Sequence, residues 1–420
     1  MDRPSLACAA AISTGLAVSS AHPLGMLAAI AMPAVVMCQL KCRVAYFTAV
    51  CYYAGALWPL IPGARNFFGA SVPLVSALAL WAVASTLLAS PWPLVWSASR
   101  EQAWWRAPLG LALSVVPPLG IIGWASPLIA AGFLFPGTGW WGLAACVLAP
   151  GLLAAWPRYA LLGTAAGAIL CNTVCAPVPP PPTGWVAIDT HLGAIAHGST
   201  SPLAEYEVVR FIQHAALAAN AKVILLPETV VPAWTAATDA FWHPTLDHLR
   251  VSGKTLILGA RVPMSLGNTS SISRISNEDF SAAIATLRGG PTVGTNSARP
   301  ETPFAYANGI VIRGADTAIF HQRIPVPIAM WKPFQPVGAS LDSFGPGTVR
   351  IRNQRVAVLI CYEQLLVWPV LTSLCDRPDV LLAVANDYWA NGTPIRQYQR
   401  LAIRGWSRLF RLPYLSATNT

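Results

Sequence analysis

The sequence Arg355-Val-Ala-Val-Leu-Ile-Cys-Tyr-Glu-Gln364 places a reactive side chain directly after a run of core-type residues. Residues 356–360 are aliphatic and partly β-branched, which predicts a buried strand. Cys361 follows at the end of this strand, where turns commonly present a nucleophile. A lone cysteine is also a small apolar core residue, so the pattern needs a second element before it predicts chemistry.

A second apolar run, Lys222-Val-Ile-Leu-Leu-Pro-Glu-Thr229, ends on a carboxylate at Glu228. The thiolate is the nucleophilic form of cysteine, and a carboxylate within reach can accept its proton. Two strands that each end in a reactive group predict one catalytic edge that holds Glu228 and Cys361. The alternative is a pair of strand-end residues that never meet in the fold.

The chain resembles the nitrilase (carbon–nitrogen hydrolase) superfamily over nearly its whole length. The more specific motifs are those of the glutamate and the cysteine, Leu-Pro-Glu228 and Ile-Cys361-Tyr-Glu363. Two supporting motifs are similar to those of the superfamily's membrane branch, apolipoprotein N-acyltransferase: Asn386-Asp-Tyr-Trp389 and Ala417-Thr-Asn-Thr420. The resemblance implies a nitrilase-like α-β-β-α sandwich for residues 185–420.

The same resemblance implies a role for each site residue. Cys361 attacks a carbonyl carbon to give a thioester, Glu228 is the base, and Glu363 is a supporting acid. Water or an amine then resolves the thioester, which is amidase or acyltransferase chemistry. The backbone N–H of Tyr362 is a candidate donor to the oxyanion.

The chain departs from the family pattern at the catalytic lysine. The matching segment is Phe320-His-Gln-Arg-Ile-Pro-Val-Pro-Ile328, which puts Gln322 at the lysine position. Arg323, one place later, is a possible substitute, because an arginine can stabilise an oxyanion although it cannot shuttle a proton. The chain also stops at Thr420, where the family continues with more strands, so the resemblance implies a C-terminally truncated sandwich.

Two functions are compatible with these motifs. The layout of the chain is similar to that of conjugal transfer proteins, which implies service in plasmid conjugation. The first function is therefore a membrane-bound acyltransferase or amidase acting in conjugal transfer. The second is a catalytically degraded structural component of the conjugation or envelope machinery. The intact Glu228 and Cys361 favour the enzyme, whereas the missing lysine and the truncation favour the structural component.

The composition predicts a membrane protein. The 420 residues are 55% hydrophobic and only 10% charged, against roughly 25% charged residues in ordinary domains. A helix needs about 20 residues to cross a bilayer, and the charge-free stretches of the first half predict about seven such helices in residues 1–175. Asp, Glu, Lys and Arg are absent from 4–40, 44–64, 66–99, 107–157 and 159–188.

The placement of Lys and Arg predicts the orientation in the membrane. With the N-terminus in the cytoplasm, the outer loops between helices carry only Arg65. The inner side carries Arg3, Lys41, Arg43, Arg100, Arg106 and Arg158. Seven crossings then place the rest of the chain in the periplasm, attached to a multi-pass domain in the bacterial inner membrane. Residues 176–184, which contain five prolines, are interpreted as a stiff linker.

Alternating strand and helix patterns predict an α/β domain for residues 185–420. Residues 264–302 have little apolar periodicity and are interpreted as a mobile loop. Arginines recur every four residues in 395–411, which predicts a basic amphipathic helix with either a solvated or a lipid-facing polar side. Membrane lipids, as acyl donors, and envelope or conjugation proteins are the expected partners. We expect no direct contact with nucleic acid, no metal ion and no cofactor.

Overall fold

The computed structural model describes residues 3–69, 72–193, 202–264, 305–335 and 337–420. The predicted loop 264–302 lies outside these ranges except for its first residue. The described part of the apolar half, residues 1–175, is α-helical. Its helices are α1 (Arg3–Ser19), α2 (Pro23–Ala29), α3 (Ala31–Met37), α4 (Cys42–Leu57), α5 (Leu60–Phe68), α6 (Leu74–Ala89), α7 (Pro91–Val95), α8 (Ala103–Val115), α9 (Ala131–Leu134), α10 (Trp140–Ala155) and α11 (Pro157–Val174).

Within the described residues, one helical segment, Leu74–Val95, is long and apolar enough to cross a membrane. A second candidate is the pair α4 and α5, which together meet the same test but are bent by 48°. Proline explains several breaks, because it removes a backbone donor and clashes with the preceding turn. Pro59 stands between α4 and α5, and Pro117 and Pro118 follow the end of α8. The predicted count of seven crossings is not confirmed by these helices.

The described residues after the apolar half form two sheets and four helices. The first sheet contains β1 (Trp185–Ala187), β2 (Val223–Leu225), β3 (Val231–Ala233), β4 (Thr255–Pro263), β5 (Ala305–Gly314), β6 (Ala318–His321) and β7 (Gly338–Ala339). The second contains β8 (Thr348–Ile351), β9 (Gln354–Ile360), β10 (Val380–Asn386) and β11 (Tyr414–Asn419). The helices are α12 (Pro202–Ala218), α13 (Ala236–Val251), α14 (Trp368–Cys375) and α15 (Ile395–Phe410).

The first sheet has the order β1-β2-β4-β5-β6, with β3 on β4 and β7 on β5, and the second has the order β11-β10-β9-β8. Strands β1, β2 and β4 are parallel, as are β9, β10 and β11. Strands β5 and β6 form an antiparallel hairpin. Parallel neighbours end at the same edge, so the ends of β2 and β9 deliver their reactive residues to the edges of the two sheets.

The period-two alternation of β9 explains the layers. Val356, Val358 and Ile360 face the first sheet in a core between the sheets, whereas Ala357 and Leu359 face the opposite way, towards α14 and α15. On the first sheet, α12 and α13 cover the outer face. The order of layers is therefore helices, sheet, sheet, helices, which agrees with the predicted α-β-β-α arrangement.

The helical half packs against the sandwich through α15. Gly405 of α15 and Gly132 of α9 approach so closely that a methyl group on Gly132 would strike the Gly405 backbone. The Tyr362 hydroxyl donates to the Ile121 carbonyl at 3.0 Å. The core of the helical half thus continues into the outer layer of the second sheet.

Candidate active site

Cys361 directly follows β9 in a strained turn. Its φ is +47°, in the left-handed region that a residue with a Cβ rarely adopts. Three contacts hold the turn: Gln322 Nε2 donates to the Ile360 carbonyl at 2.9 Å, Gln399 Nε2 donates to the Cys361 carbonyl at 3.1 Å, and the Ile360 amide donates to Glu363 Oε2 at 3.0 Å. The surrounding side chains therefore fix the direction of the thiol.

Glu228 lies against this thiol, as the two strand ends predict. The Cys361 thiol hydrogen-bonds the Glu228 carboxylate. The second oxygen of the carboxylate accepts from the Asn386 amide at 2.9 Å, and Asn308 Nδ2 donates to Oε1 at 2.6 Å. Glu228 and Cys361 are each only 4% exposed. The alternative in which Glu228 and Cys361 never meet is therefore wrong.

Burial controls the protonation of this pair. It raises the pKa of Glu228, although the hydrogen bonds from Asn308, Cys361 and the Asn386 amide and the charge of Arg261 oppose the rise. It raises the pKa of the Cys361 thiol well above the ordinary value, and the negative charges of Glu228 and Asp387 add to the effect. The resting form of Cys361 is therefore the neutral thiol, and its proton has to leave as the sulfur attacks.

Gln322 links the Glu228 carboxyl group, through Asn308, to the turn that holds Cys361. It is buried, its Oε1 accepts from Asn308 Nδ2 at 2.8 Å, and its Nε2 donates to the residue before Cys361. Asn308 thereby joins Gln322 to Glu228. Asn308 is not among the predicted site residues, although its amide is the only strongly polar side chain between Ala305 and Ile312 in an otherwise apolar strand.

Glu363 and Arg323 form a buried ion pair beneath the turn. Glu363 Oε1 accepts from Arg323 Nε at 3.1 Å and from the Arg323 amide at 3.0 Å. The Arg323 guanidinium also donates to the Pro369 carbonyl at 2.9 Å and the Val358 carbonyl at 3.2 Å. Both oxygens of Glu363 and much of the guanidinium are thus committed to the support of the turn.

A cavity of about 30 Å³ lies beside the thiol. Its walls come from both halves of the chain: Phe67, Glu228, Thr229, Arg261, Val326, Met330, Cys361, Asn386 and Trp389. Phe67 belongs to α5 and packs edge-on against Trp389, with ring centroids 6.2 Å apart. The sequence carries no signal that α5 reaches this site, since 294 residues separate Phe67 from Cys361 (361 minus 67).

Asp387 is a second buried carboxyl group near the thiol, and it is not among the predicted site residues. Burial raises its pKa to about 7, against which the charges of Arg396 and Arg400 act. Asp387 Oδ2 lies 3.9 Å from Arg396 Nε. Gln399, which holds the Cys361 carbonyl, also acts to lower the pKa of Asp387.

The chain is similar to two curated proteins over most of its length. It is 30% identical to a probable conjugal transfer protein TraB of Sinorhizobium fredii over 427 residues, covering all of this chain and 98% of that protein. It is 30% identical to the conjugal transfer protein TraB of Agrobacterium fabrum over 390 residues, covering 88% and 82% of the two chains.

No family model matches the chain. Among solved structures, an amidase of the nitrilase superfamily from Nesterenkonia superposes with a TM-score of 0.29 at 12% identity, covering 49% of this chain and 67% of the amidase.

Proposed function

Because the chain belongs to the TraB family of conjugal transfer proteins, we propose that it serves plasmid conjugation through a cysteine nucleophile of the carbon–nitrogen hydrolase type. The relatives' names support the role in conjugation. One observation carries the chemistry: the thiol of Cys361, held in a left-handed turn, hydrogen-bonds the buried carboxylate of Glu228 at the wall of a cavity. A core cysteine needs neither the strained turn nor the buried base.

The proposed reaction transfers an acyl group in two steps. As the Cys361 sulfur attacks the carbonyl carbon of an amide or ester, its proton passes to Glu228 and a C–S bond forms. Glu228 then returns the proton to the departing amine or alcohol as the C–N or C–O bond breaks. In the second step Glu228 takes a proton from water or an acceptor amine, which attacks the thioester, and the thiol is regenerated with that proton.

Gln322 sets the expected speed of this reaction. Removal of one oxyanion donor costs roughly 10²–10³ in rate, and a neutral carboxamide lacks the positive charge of a lysine. Because Arg323 is paired with Glu363 beneath the turn, we propose Gln322, and not Arg323, as the residue at the lysine position. The proposed enzyme is therefore slow.

The test is thioester formation on the full-length protein in detergent, with a p-nitrophenyl acyl ester as donor and site-resolved mass spectrometry as readout. Glu228→Gln should lower hydroxylamine-sensitive acylation of Cys361 by about 10²-fold or more, and Gln322→Lys should raise it. Exposed Cys375 is the internal control. Equal acylation of Cys361 and Cys375 in all variants would exclude the nucleophile.

The second candidate is a catalytically degraded structural component of the conjugation or envelope machinery. One observation favours it: the Gln322 amide uses its oxygen on Asn308 and one N–H on the Ile360 carbonyl, so it braces the turn. A thioester that appears neither in the native chain nor after Gln322→Lys would support this candidate.

We propose further that the protein is a multi-pass protein of the bacterial inner membrane, divided at residues 176–184, with residues 185–420 in the periplasm. The charge-free stretches of residues 4–188 and the single outer arginine between helices support this arrangement. The candidate span Leu74–Val95 supports membrane association by length and composition. Membrane lipids are then the proposed acyl donors, and other conjugation or envelope proteins are the proposed partners.

A further inference from the structure

Arg261 stands where the alternation of β4 places core residues. Leu256, Leu258 and Ala260 face α12 and α13, whereas Ile257 faces the core between the sheets. Arg261, four residues after Ile257, therefore shares the inner face with it. A charged residue on an inner face is costly unless it meets a partner or a functional site.

The neighbours of Arg261 are the polar residues of the candidate site. Asn308, which holds Glu228, is its cross-strand partner in the β4–β5 register. Gly259, on the same face, packs directly against the Glu228 backbone and has no room for a Cβ. The Arg261 guanidinium lies 5.3 Å from the centroid of the Tyr306 ring and lines the cavity beside Cys361.

The rest of the cavity wall is chemically mixed. Four of its residues are apolar, namely Phe67, Val326, Met330 and Trp389, whereas Glu228, Thr229 and Asn386 are polar like Arg261. Among the nine lining residues, Arg261 is the one with a permanent positive charge. A substrate that places its carbonyl carbon at Cys361 therefore meets the Arg261 guanidinium within the same small cavity.

We propose that Arg261 forms an anion-binding subsite, so that the acyl substrate of Cys361 carries a carboxylate or phosphate close to the carbon that the thiol attacks. The inference rests on the proposed nucleophile and names its substrate class. Guanidinium groups match both anions through paired N–H donors. A phosphate would come from a phospholipid donor, and a carboxylate from an acidic amide.

Two alkylating probes of one shape test the subsite on the full-length protein. Iodoacetate is anionic and iodoacetamide is neutral, and both react at the same carbon with thiolate. Because any change in thiolate formation affects both rates equally, the iodoacetate-to-iodoacetamide ratio at Cys361 reports only on the charge of the probe. Arg261→Gln should lower this ratio by about tenfold, with no change at Cys375.

Matched variants test whether the positive charge at position 261 sets the iodoacetate-to-iodoacetamide ratio. Arg261→Lys keeps the positive charge and should retain most of the ratio. Arg350→Gln removes an exposed arginine from β8, outside the cavity wall, and should leave the ratio unchanged. Protection of Cys361 from iodoacetamide by inorganic phosphate but not acetate would assign a phosphate-bearing substrate, and the reverse result would assign a carboxylate.

An unchanged ratio in Arg261→Gln would overturn the subsite. This includes the case in which both alkylation rates fall equally, because Arg261 would then affect only thiolate formation at Cys361. Either result leaves the nucleophile intact if Glu228→Gln still slows Cys361. If Cys361 is no more reactive than Cys375 and insensitive to Glu228→Gln, the proposed function itself fails.

Discussion

Two carboxyl groups flank Cys361, and their surroundings assign them different tasks. Glu228 bonds the thiol and is held by Asn308 and the Asn386 amide. Asp387 acts through its charge, which raises the pKa of Cys361, and through Gln399. Because the pKa of Asp387 is raised to about 7, its charge changes near neutral pH.

Asp387→Asn should alter the pH profile of Cys361. Below about pH 6 Asp387 is mostly protonated, so the alkylation rate should equal that of the native chain. Above about pH 8 the native chain carries an extra negative charge among Glu228, Arg396 and Arg400, and the variant should react roughly three- to tenfold faster, the effect of about 0.5–1 pKa unit. The measurement is the iodoacetamide rate of Cys361 relative to Cys375 from pH 5 to 9.

The pH dependence of the melting temperature provides an independent check on the raised pKa of Asp387. The raised pKa of Asp387 means that the folded state holds a proton which the unfolded state has lost. Its contribution to stability is full below the ordinary value of 3.8 and is lost as the pH rises through about 7. The melting temperature of Asp387→Asn should therefore fall less between pH 4 and 7 than that of the native chain. Parallel alkylation profiles and parallel melting profiles would contradict the assignment.

At the scale of elements, α5 belongs to the helical half but forms part of the cavity wall. Asn66 Nδ2 donates to the Trp389 carbonyl at 3.0 Å and to the Asn391 carbonyl at 2.9 Å, and Phe67 packs on the Trp389 ring. These contacts fasten α5 over the loop that follows β10. Access to Cys361 therefore depends on a helix from the other half of the chain.

Phe67→Ala should open the cavity. Removal of the ring leaves the small cavity beside Cys361 without one wall, and alkylation of Cys361 should accelerate several-fold while that of Cys375 stays constant. Phe68→Ala is the matched control, since Phe68 is 40% exposed and does not line the cavity. Equal rates for the native chain and Phe67→Ala would show that the probe enters by another route.

Helix α15 shows how an amphipathic pattern becomes part of a core. The predicted basic helix is present, with Arg400 and Arg404 exposed and Tyr398, Trp406 and Leu409 buried. Arg408 donates to the Gly132 carbonyl at 3.2 Å and to Asn172 Oδ1 at 2.9 Å. The apolar face of the helix therefore joins sandwich to helical half, and only its polar face is available for solvent or lipid.

At the scale of the whole molecule, the two halves share one hydrophobic core. The apolar half supplies a wall of the cavity, and the sandwich supplies the nucleophile and base. If the proposed lipid donor is the substrate, α5 is the element of the apolar half that it would meet beside Cys361.

The proposed topology predicts that Cys375 is accessible from outside the cytoplasm. Cys375 is exposed at the end of α14. A membrane-impermeant maleimide should label it in intact spheroplasts, and Cys375→Ser should remove that label. Labelling of Cys375 only after lysis would overturn both the seven crossings and the periplasmic placement.

The sequence by itself determined the features that depend on near neighbours. The apolar runs 356–360 and 223–226 predicted buried strands, and the residues after them predicted the Glu228–Cys361 pair. These patterns are local, so the chain order contains them.

Only the tertiary structure decided which distant groups complete the site. Asn308 meets Glu228 across 80 residues, Gln399 meets the Cys361 carbonyl across 38 residues, and Phe67 arrives from α5. Local periodicity carries no information on which strand lies beside which, or on which helix covers an edge. The charge of Asp387 near pH 7 and the place of Arg261 in the cavity arise from burial and strand register, which exist only once the sheets have packed.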